Sequence, residues 1–188
     1  MLRSFSLCAL FLLCLTATAQ DKRTLMVEVL QTARDFGQVA PVWHIISRQE
    51  DIFRFVPSVA PLKEKYRISD RFGYRVHPIS GRRAFHAGLD MAAEYAATVH
   101  ATASGTVTFS GNVPGYGKTV VITHRFGFQT RYAHLTRIYR HKGDAVEKGE
   151  VVGFVGSTGQ STGNHLHYEV IKNGRVINPI KFIYGTDK

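Results

Sequence analysis

The sequence predicts an all-β core of antiparallel sheets, preceded by a short helical segment. Beyond residue 66, short runs rich in Val, Ile, Thr, Phe and Tyr alternate with glycine-bearing turns, a pattern typical of antiparallel sheets. Before it, apolar residues recur at helical spacing from Arg23 to Phe36, which predicts one amphipathic helix. Pro57 and Pro61 then disfavour helix, so we place a boundary there. We predict a leader over 1–19, a helical and linker segment over 20–65, and a β domain over 66–188.

Six stretches of the β domain have the composition of strands. Each is rich in β-branched and aromatic residues and is bounded by turn residues. Glycine-bearing stretches at 115–117 and 153–163 lack the Gly-Lys-Ser/Thr ending of a phosphate-binding loop, so we interpret them as turns. The six predicted strands lie within 105–111, 119–124, 128–133, 150–155, 165–171 and 175–177.

The first nineteen residues have the features of a secretory signal peptide. Arg3 precedes an apolar run over 7–15, and Ala-Thr-Ala ends at Ala19, where we expect cleavage. The run is too short to favour a membrane span, so we expect export without stable membrane insertion. The expected destination is the periplasm or cell envelope, with the extracellular medium as the alternative. Both cysteines, Cys8 and Cys14, lie in this leader, so the exported chain would form no disulfide.

The formal charge of +10 favours an anionic partner. Nucleic acid, membrane lipid and the carboxylate-rich peptides of a cell wall all have the required charge. Export argues against nucleic acid, and the exported part has no evident basic amphipathic helix, so the wall fits best. A charge that merely keeps the surface hydrated remains an open alternative.

Two histidine motifs predict a metal site. His86 and Asp90 are four residues apart, while His165 and His167 are two apart in a strand-like run. Residues two apart share one face of a strand, so both imidazoles point the same way. Zinc accepts imidazole nitrogen and carboxylate oxygen, and a catalytic zinc has three protein ligands. His86, Asp90 and one of the two strand histidines satisfy that count, and spacing alone leaves open which one. A further histidine, His134, ends another strand-like segment.

These motifs and several others resemble the lysostaphin-type, or LytM-like, zinc endopeptidases, which cut the peptide part of bacterial peptidoglycan. The similarity covers residues 66–184, and the motifs have the order and spacing of that family. The fold it implies has antiparallel sheets that form a substrate groove. The matching stretches are SDRFGYR (69–75), HP (77–78), HAGLD (86–90), YAHL (132–135), GDAV (143–146), GSTG (156–159), HLHYE (165–169) and NP (178–179).

The resemblance implies a role for each of five residues. His86, Asp90 and His167 would bind one zinc ion, and His134 and His165 would be the catalytic histidines. The expected function is an exported zinc metalloendopeptidase that hydrolyses peptidoglycan cross-links. The alternative is a non-catalytic module of the same fold that binds peptidoglycan or activates an amidase; such relatives have replaced ligands or catalytic histidines.

The general base is expected to differ from that of many other zinc peptidases. The chain lacks the His-Glu-x-x-His motif, whose Glu serves as the base elsewhere. Histidine titrates near neutral pH and can replace it. The sequence does not show which of His134 and His165 would be the base and which would stabilise the oxyanion or donate the proton.

For three further side chains near the motifs, a structural role and a role in the site are both considered. Glu169 shares a strand face with His167, and we favour a surface or core-edge hydrogen bond for it over a role in orienting a metal ligand. Tyr132, two residues before His134, is expected to share its strand face and to be a packed aromatic rather than a substrate contact. His77 is either a groove residue or an ordinary loop histidine.

Overall fold

The structure, a computed structural model, describes residues 18–76 and 81–184. Most of the expected leader and His77 lie outside these ranges. Within them, no helix is long and apolar enough to cross a membrane.

The N-terminal segment forms short helices that pack on the sheet. The helix expected over 23–36 is present, but it begins four residues earlier. Thr18 caps it by accepting a hydrogen bond from the Asp21 backbone. The helix ends before Asp35, whose side chain caps the next helix by accepting from the Gln38 backbone. The helices are α1 (Ala19–Thr32), α2 (Phe36–Val39), α3 (Trp43–Ile46), α4 (Glu50–Phe53) and, at the other end of the chain, α5 (Pro179–Tyr184), with a 3₁₀ turn at Ala40–Val42.

The rest of the described chain is antiparallel β-structure, which confirms the predicted fold class. All six predicted strands are present, and the described residues contain six more short strands that the sequence analysis did not identify, five before residue 105 and one at Ala145–Val146. The strands are β1 (Tyr66–Asp70), β2 (Gly73–Val76), β3 (Arg83–His86), β4 (Leu89–Ala93), β5 (Thr98–His100), β6 (Gly105–Val113), β7 (Gly117–Thr123), β8 (Phe128–Ile138), β9 (Ala145–Val146), β10 (Val151–Val155), β11 (His165–Lys172) and β12 (Arg175–Ile177).

The main sheet places the histidine strands side by side. Its strand order is β1-β4-β11-β8-β7-β6-β9, while β12 pairs with β11, β10 pairs with β5 and β8, and β2 and β3 form a separate hairpin. Strand β11 therefore lies between β4 and β8. In this register His167 is opposite Asp90 of β4 and also opposite Ala133 of β8, the neighbour of His134. Residues 77 positions apart in sequence thus become direct neighbours.

One hydrophobic core joins the helical segment to the sheet. Phe36 of α2 packs edge-to-face on Phe182 of α5, with ring centroids 5.0 Å apart, and Phe128 of β8 packs on the same ring at 5.6 Å. Leu30 on α1 is fully buried in the same cluster. In the expected linker, Pro57 is also buried. The N-terminal segment is therefore held to the β-structure by apolar burial.

Candidate metal centre

Strand β11 separates a polar face from an apolar one, as the alternation of its residues predicts. Leu166, Tyr168 and Val170 are fully buried in the hydrophobic core. His165, His167 and Glu169 occupy the other face. The apolar residues fix the strand against the core, and this burial gives the two imidazoles a rigid support.

The proposed ligand atoms of His86, Asp90 and His167 converge on one point. His167 Nδ1 lies 2.7 Å and His86 Nε2 lies 3.1 Å from Asp90 Oδ1, and the two ring nitrogens are 3.1 Å apart. Among the described residues, these three form the group of His, Cys, Asp and Glu side chains whose ligand atoms lie close enough to hold a metal ion. A tetrahedral zinc ion with ligand distances of about 2.0–2.2 Å has its ligand atoms roughly 3.3–3.6 Å apart, so a bound ion would require these three atoms to lie somewhat further apart than they do here.

The hydrogen bonds on the outer sides of the two imidazoles support a cation between them. His86 Nδ1–H donates to the Arg71 carbonyl at 2.9 Å, and His167 Nε2–H donates to Glu169 Oε1 at 3.0 Å. Each neutral ring then presents an unprotonated nitrogen to the other and to the Asp90 carboxylate. Three acceptors at such short distances repel one another unless a positive charge lies between them. Two nitrogens and one oxygen are a donor set that zinc accepts.

The electrostatics of the cluster also favour positive charge. Burial by itself would raise the pKa of Asp90, but the contacts with His167 and His86 outweigh it and hold that pKa well below its ordinary value. Burial lowers the pKa of His167, yet the carboxylates of Asp90 and Glu169 on its two sides raise it more. The site therefore stabilises a positive charge, either a proton on an imidazole or a metal ion in its place.

Glu169 orients His167, so the favoured prediction of a surface or core-edge hydrogen bond was wrong. Its side chain is fully buried, and besides the His167 ring it accepts hydrogen bonds from Arg131 at 2.7 Å and from the Tyr116 hydroxyl at 2.9 Å. Burial would raise the pKa of Glu169, but His167, Arg131 and Tyr116 together lower it. A carboxylate held in this way fixes the tautomer and orientation of a metal-binding histidine.

His134 reaches the site because β8 is irregular there. Its backbone adopts a positive φ of 58°, and the pairing between β7 and β8 shifts between Val120↔Tyr132 and Lys118↔Leu135, as in a β-bulge. The alternation of faces therefore breaks between Tyr132 and His134, and the prediction that the two share a face was wrong. Tyr132 instead is fully buried and bonds to the backbone and hydroxyl of Thr102, which confirms it as a packed aromatic.

His134 and His165 lie side by side at the site, with ring centroids 4.6 Å apart. His134 Nδ1–H donates to the Thr158 carbonyl at 2.7 Å, and His165 Nδ1–H donates to the Gly163 carbonyl at 2.8 Å. With Nδ1 as the donor, the neutral form of each ring has its unprotonated nitrogen at Nε2. That of His165 lies 3.9 Å from Asp90 Oδ2. Burial lowers the pKa of His134 to about 4, although its bond to Thr158 opposes the shift, so this ring is neutral at neutral pH.

All five predicted site residues line one cavity of about 230 Å³. His86 and Asp90 come from the hairpin edge and β4, His134 from β8, and the other two histidines from β11. None of the described lining residues belongs to the helical segment 18–65. The remaining lining residues are Arg75, Phe85, Ala87, Gly115, Tyr116, Gln160, Ser161 and Thr162.

Comparison with known proteins identifies the family. Residues 84–179, about half of the chain, match Peptidase family M23. The chain belongs to Peptidase family M23. The resemblance to a zinc endopeptidase family, inferred from the motifs, is thereby confirmed.

Individual relatives of this M23 chain agree with the assignment. DD-carboxypeptidase/endopeptidase Mpg of Neisseria meningitidis serogroup B is 51% identical over 120 residues, which are 64% of this chain and 28% of that protein. Peptidoglycan DD-endopeptidase ShyA of Vibrio cholerae is 42% identical over 122 residues, with the same two shares. A zinc-containing peptidase from Vibrio cholerae has a similar structure, with a TM-score of 0.62 and 36% identity over 68% of this chain and 39% of that one. The M23 chain thus spans 28% of the length of each of these curated relatives.

Gly88 is a residue of the M23 site that sequence reasoning quoted but did not explain. A Cβ on Gly88 would lie 2.5 Å from the Tyr168 carbonyl oxygen and 2.9 Å from the His167 ring. Only a residue without a side chain lets the His86–Asp90 segment lie against β11 at this distance. The signal available in the sequence was the glycine itself, inside a motif that supplies two of the proposed ligands.

Proposed function

We propose that this protein is an exported zinc metalloendopeptidase that hydrolyses the peptide cross-links of bacterial peptidoglycan. The observation that carries the proposal is the convergence of His86, Asp90 and His167 on one point, in a cavity that His134 and His165 also line. Membership of Peptidase family M23 and the names of the relatives support the same reaction class.

One zinc ion is proposed, held by His86 Nε2, Asp90 Oδ1 and His167 Nδ1. When bound there, zinc supplies a Lewis acid that polarises the scissile carbonyl and lowers the pKa of a coordinated water towards about 7. Hydrogen bonds on their outer sides hold the two proposed imidazole ligands in place. Arg71 holds the His86 ring through its carbonyl, and Glu169 holds the His167 ring.

His134 and His165 are proposed to move the protons of the reaction. Peptide hydrolysis needs one group to accept a proton from the attacking water and one to deliver a proton to the leaving amine. Each ring donates its Nδ1–H to a backbone carbonyl, so each would accept or give a proton at Nε2. The backbone bonds also stabilise each ring after it accepts a proton, because Nδ1–H is then a stronger donor.

The proposed target is the D-alanyl to diaminopimelate cross-link rather than a glycine bridge. This choice rests on the relatives, two of which are named for DD-endopeptidase activity. The basic composition of the chain, with a formal charge of +10, suits a substrate rich in carboxylates. Export to the periplasm or cell envelope is proposed from the leader-like residues 1–19.

The presence of all five proposed site residues argues against a non-catalytic module. The three proposed ligands and the two proposed proton-transfer histidines all line one cavity, whereas a module that only binds peptidoglycan or activates an amidase would not need the proton-transfer groups.

The test is digestion of defined cross-linked muropeptides by the purified, zinc-loaded protein. We expect mass-resolved products in which the D-alanyl to diaminopimelate bond is cut, and we expect a chelator to abolish them. A pentaglycine-bridged substrate, tested in parallel, should remain intact. Absence of shorter peptides from both substrates, with no effect of the chelator, would overturn the proposed function.

A further inference from the structure

Arg75 is a cationic wall residue of the cavity that the proposed mechanism does not use. Strands β2 and β3 form a hairpin in which Gly73 is opposite His86 and Arg75 is opposite Ala84. Cross-strand partners share a face, and so do residues two apart. Arg75 therefore lies on the same face of the hairpin as the proposed zinc ligand His86. Among the described residues that line the cavity, it is the one Lys or Arg side chain.

The guanidinium of Arg75 is anchored but only partly satisfied. Its Nε lies 2.5 Å from Asp70 Oδ2, and four-fifths of the side chain is buried. Nη1 is buried and has no hydrogen-bond partner within the part of the chain that the structure describes. A buried donor without an acceptor is unfavourable, and more so when it is charged. The side chain also lines the cavity, so its charge would attract an anionic group of a ligand bound there.

We propose that Arg75 binds the substrate carboxylate that lies next to the leaving amine. This inference rests on the proposed function. In a D-alanyl to diaminopimelate cross-link, the carbon that bears the scissile nitrogen also bears a free carboxylate. Within a glycine bridge, the corresponding carbon has no such group. A guanidinium is a planar donor fork that matches carboxylate geometry, so Arg75 would both position the scissile amide and select this class of bond.

The anchoring of Arg75 suits that role. The ion pair with Asp70 holds the side chain in one orientation, and Asp70 is itself fixed because its Oδ1 accepts a hydrogen bond from the Arg71 backbone at 2.9 Å. Arg71 in turn holds the His86 ring through its carbonyl. The carboxylate-binding group and a proposed zinc ligand are thus connected through neighbouring residues of one segment, which fixes the distance between them.

The outer face of the same hairpin provides a matched control. Arg83 is exposed and lies over the Tyr74 ring, with its guanidinium carbon 4.6 Å from the ring centroid. Its position opposite Val76 places it on the face turned away from His86. Arg83→Gln removes the same charge from the same hairpin without changing the cavity wall.

The experiment compares two cross-linked substrates that differ only in whether this carboxylate is free or amidated. We expect amidation to lower kcat/KM of the unmodified protein by about 10- to 100-fold, the value of a charge-assisted hydrogen bond. The Arg75→Gln substitution should lower kcat/KM by a similar factor for the substrate with the free carboxylate, and by less than about threefold for the amidated substrate. Arg83→Gln should retain the full preference. If Arg75→Gln lowers kcat/KM by the same factor for both substrates, the inference is overturned.

A binding measurement separates this inference from the proposed function. The peptide released with the free amine retains the carboxylate, so its Kd can be measured by calorimetry without turnover. We expect Arg75→Gln to raise that Kd about tenfold or more relative to Arg83→Gln; equal Kd values would overturn the inference.

If Arg75→Gln does not fold, Arg75→Lys takes its place, because it retains a charge for Asp70 but lacks the planar fork. A Lys variant with an unchanged preference for the free carboxylate would contradict the role of Arg75. Failure of the unmodified protein to cut either substrate would count against the proposed function, and the calorimetry would still decide the role of Arg75.

Discussion

Glu169 lies on the same face of β11 as His167 and accepts a hydrogen bond from its Nε2–H at 3.0 Å. The contact joins a fully buried carboxylate to the ring whose other nitrogen is 2.7 Å from Asp90. It fixes which nitrogen of His167 faces the proposed zinc ion. The negative charge of Glu169 also makes that nitrogen a better ligand.

Glu169→Gln is expected to lower zinc affinity by about 10- to 100-fold. The amide has a similar shape but lacks the negative charge, and its NH₂ group can turn towards His167 and oppose the required tautomer. Zinc affinity is measured by competition with a chelator of known strength. Glu28→Gln, an exposed position on α1, serves as the control. Equal zinc affinities in the two variants would contradict the role assigned to Glu169.

His134→Ala is expected to separate zinc binding from turnover. Because His134 is not among the three proposed ligands, the variant should retain its zinc, while loss of a proton-transfer group should lower kcat by about 10²- to 10⁴-fold. The measurement is zinc content together with muropeptide cleavage. His141→Ala, at an exposed position, should behave like the unmodified protein. Full cleavage by His134→Ala would remove His134 from the mechanism, and loss of zinc would indicate that it is a ligand.

The parts of the site that follow strand alternation were predictable from the sequence, and the parts that depend on irregular backbone were not. The shared face of His165 and His167 follows from a period of two, and the structure has it. The same rule misplaced Tyr132, because the positive φ of His134 interrupts the alternation. A bulge depends on pairing with a neighbouring strand, and one strand's sequence does not specify that pairing.

Burial explains the other error. Glutamate is usually a surface residue, so a surface or core-edge hydrogen bond was the reasonable prediction for Glu169. Its burial depends on Arg131 and Tyr116, which reach it from β8 and from the turn before β7. Those contacts are set by the sheet order, which composition does not reveal.

Gly88→Ala is expected to displace His167 and weaken the zinc site. The added methyl would lie 2.5 Å from a backbone oxygen of β11 and 2.9 Å from the imidazole, and such crowding destabilises by about 1–3 kcal/mol. The check is the rise in Tm on adding zinc, which should be smaller in the variant because the displaced ring binds the ion less tightly. Gly163→Ala is the control, since a Cβ there meets no atom within 4 Å. An unchanged zinc-dependent rise for Gly88→Ala would contradict the proposed contact.

Loosening the helical segment is expected to reduce stability without raising activity. Leu30 on α1 is fully buried in the common core, so Leu30→Ala should lower the free energy of unfolding by about 2–5 kcal/mol, measured by urea denaturation. No described residue of this segment lines the cavity, so cleavage per folded molecule should stay the same. Thr24→Ala, exposed on the same helix, controls for helix substitution. Higher activity in Leu30→Ala would instead indicate that the segment restrains the site.

Acidification is expected to destabilise the protein in part through His124. Its ring is buried, Nδ1–H donates to the Ser104 carbonyl at 2.9 Å, and Nε2 lies 2.8 Å from the Thr130 hydroxyl. Burial lowers the pKa of His124 from its ordinary 6.5 to about 4, although the bond to Ser104 opposes this shift. Between these two values the unfolded chain binds a proton that the folded chain does not bind. The free energy of unfolding should therefore fall as the pH drops from about 6.5 to about 4, and this contribution should level off below that range.

The expected loss from this single residue is roughly 3 kcal/mol across that range, since one pKa unit corresponds to about 1.4 kcal/mol. Carboxylates titrate over part of the same range, so the informative quantity is the difference between the unmodified protein and His124→Gln. Urea denaturation at several pH values measures it. The variant is expected to be less stable at pH 7, because it loses hydrogen bonds within the core, but to have a smaller slope of stability with pH between 4 and 6.5. Parallel curves for the two proteins would show that His124 is protonated equally in the folded and unfolded chains, contrary to the burial of its ring among Ser104 and Thr130.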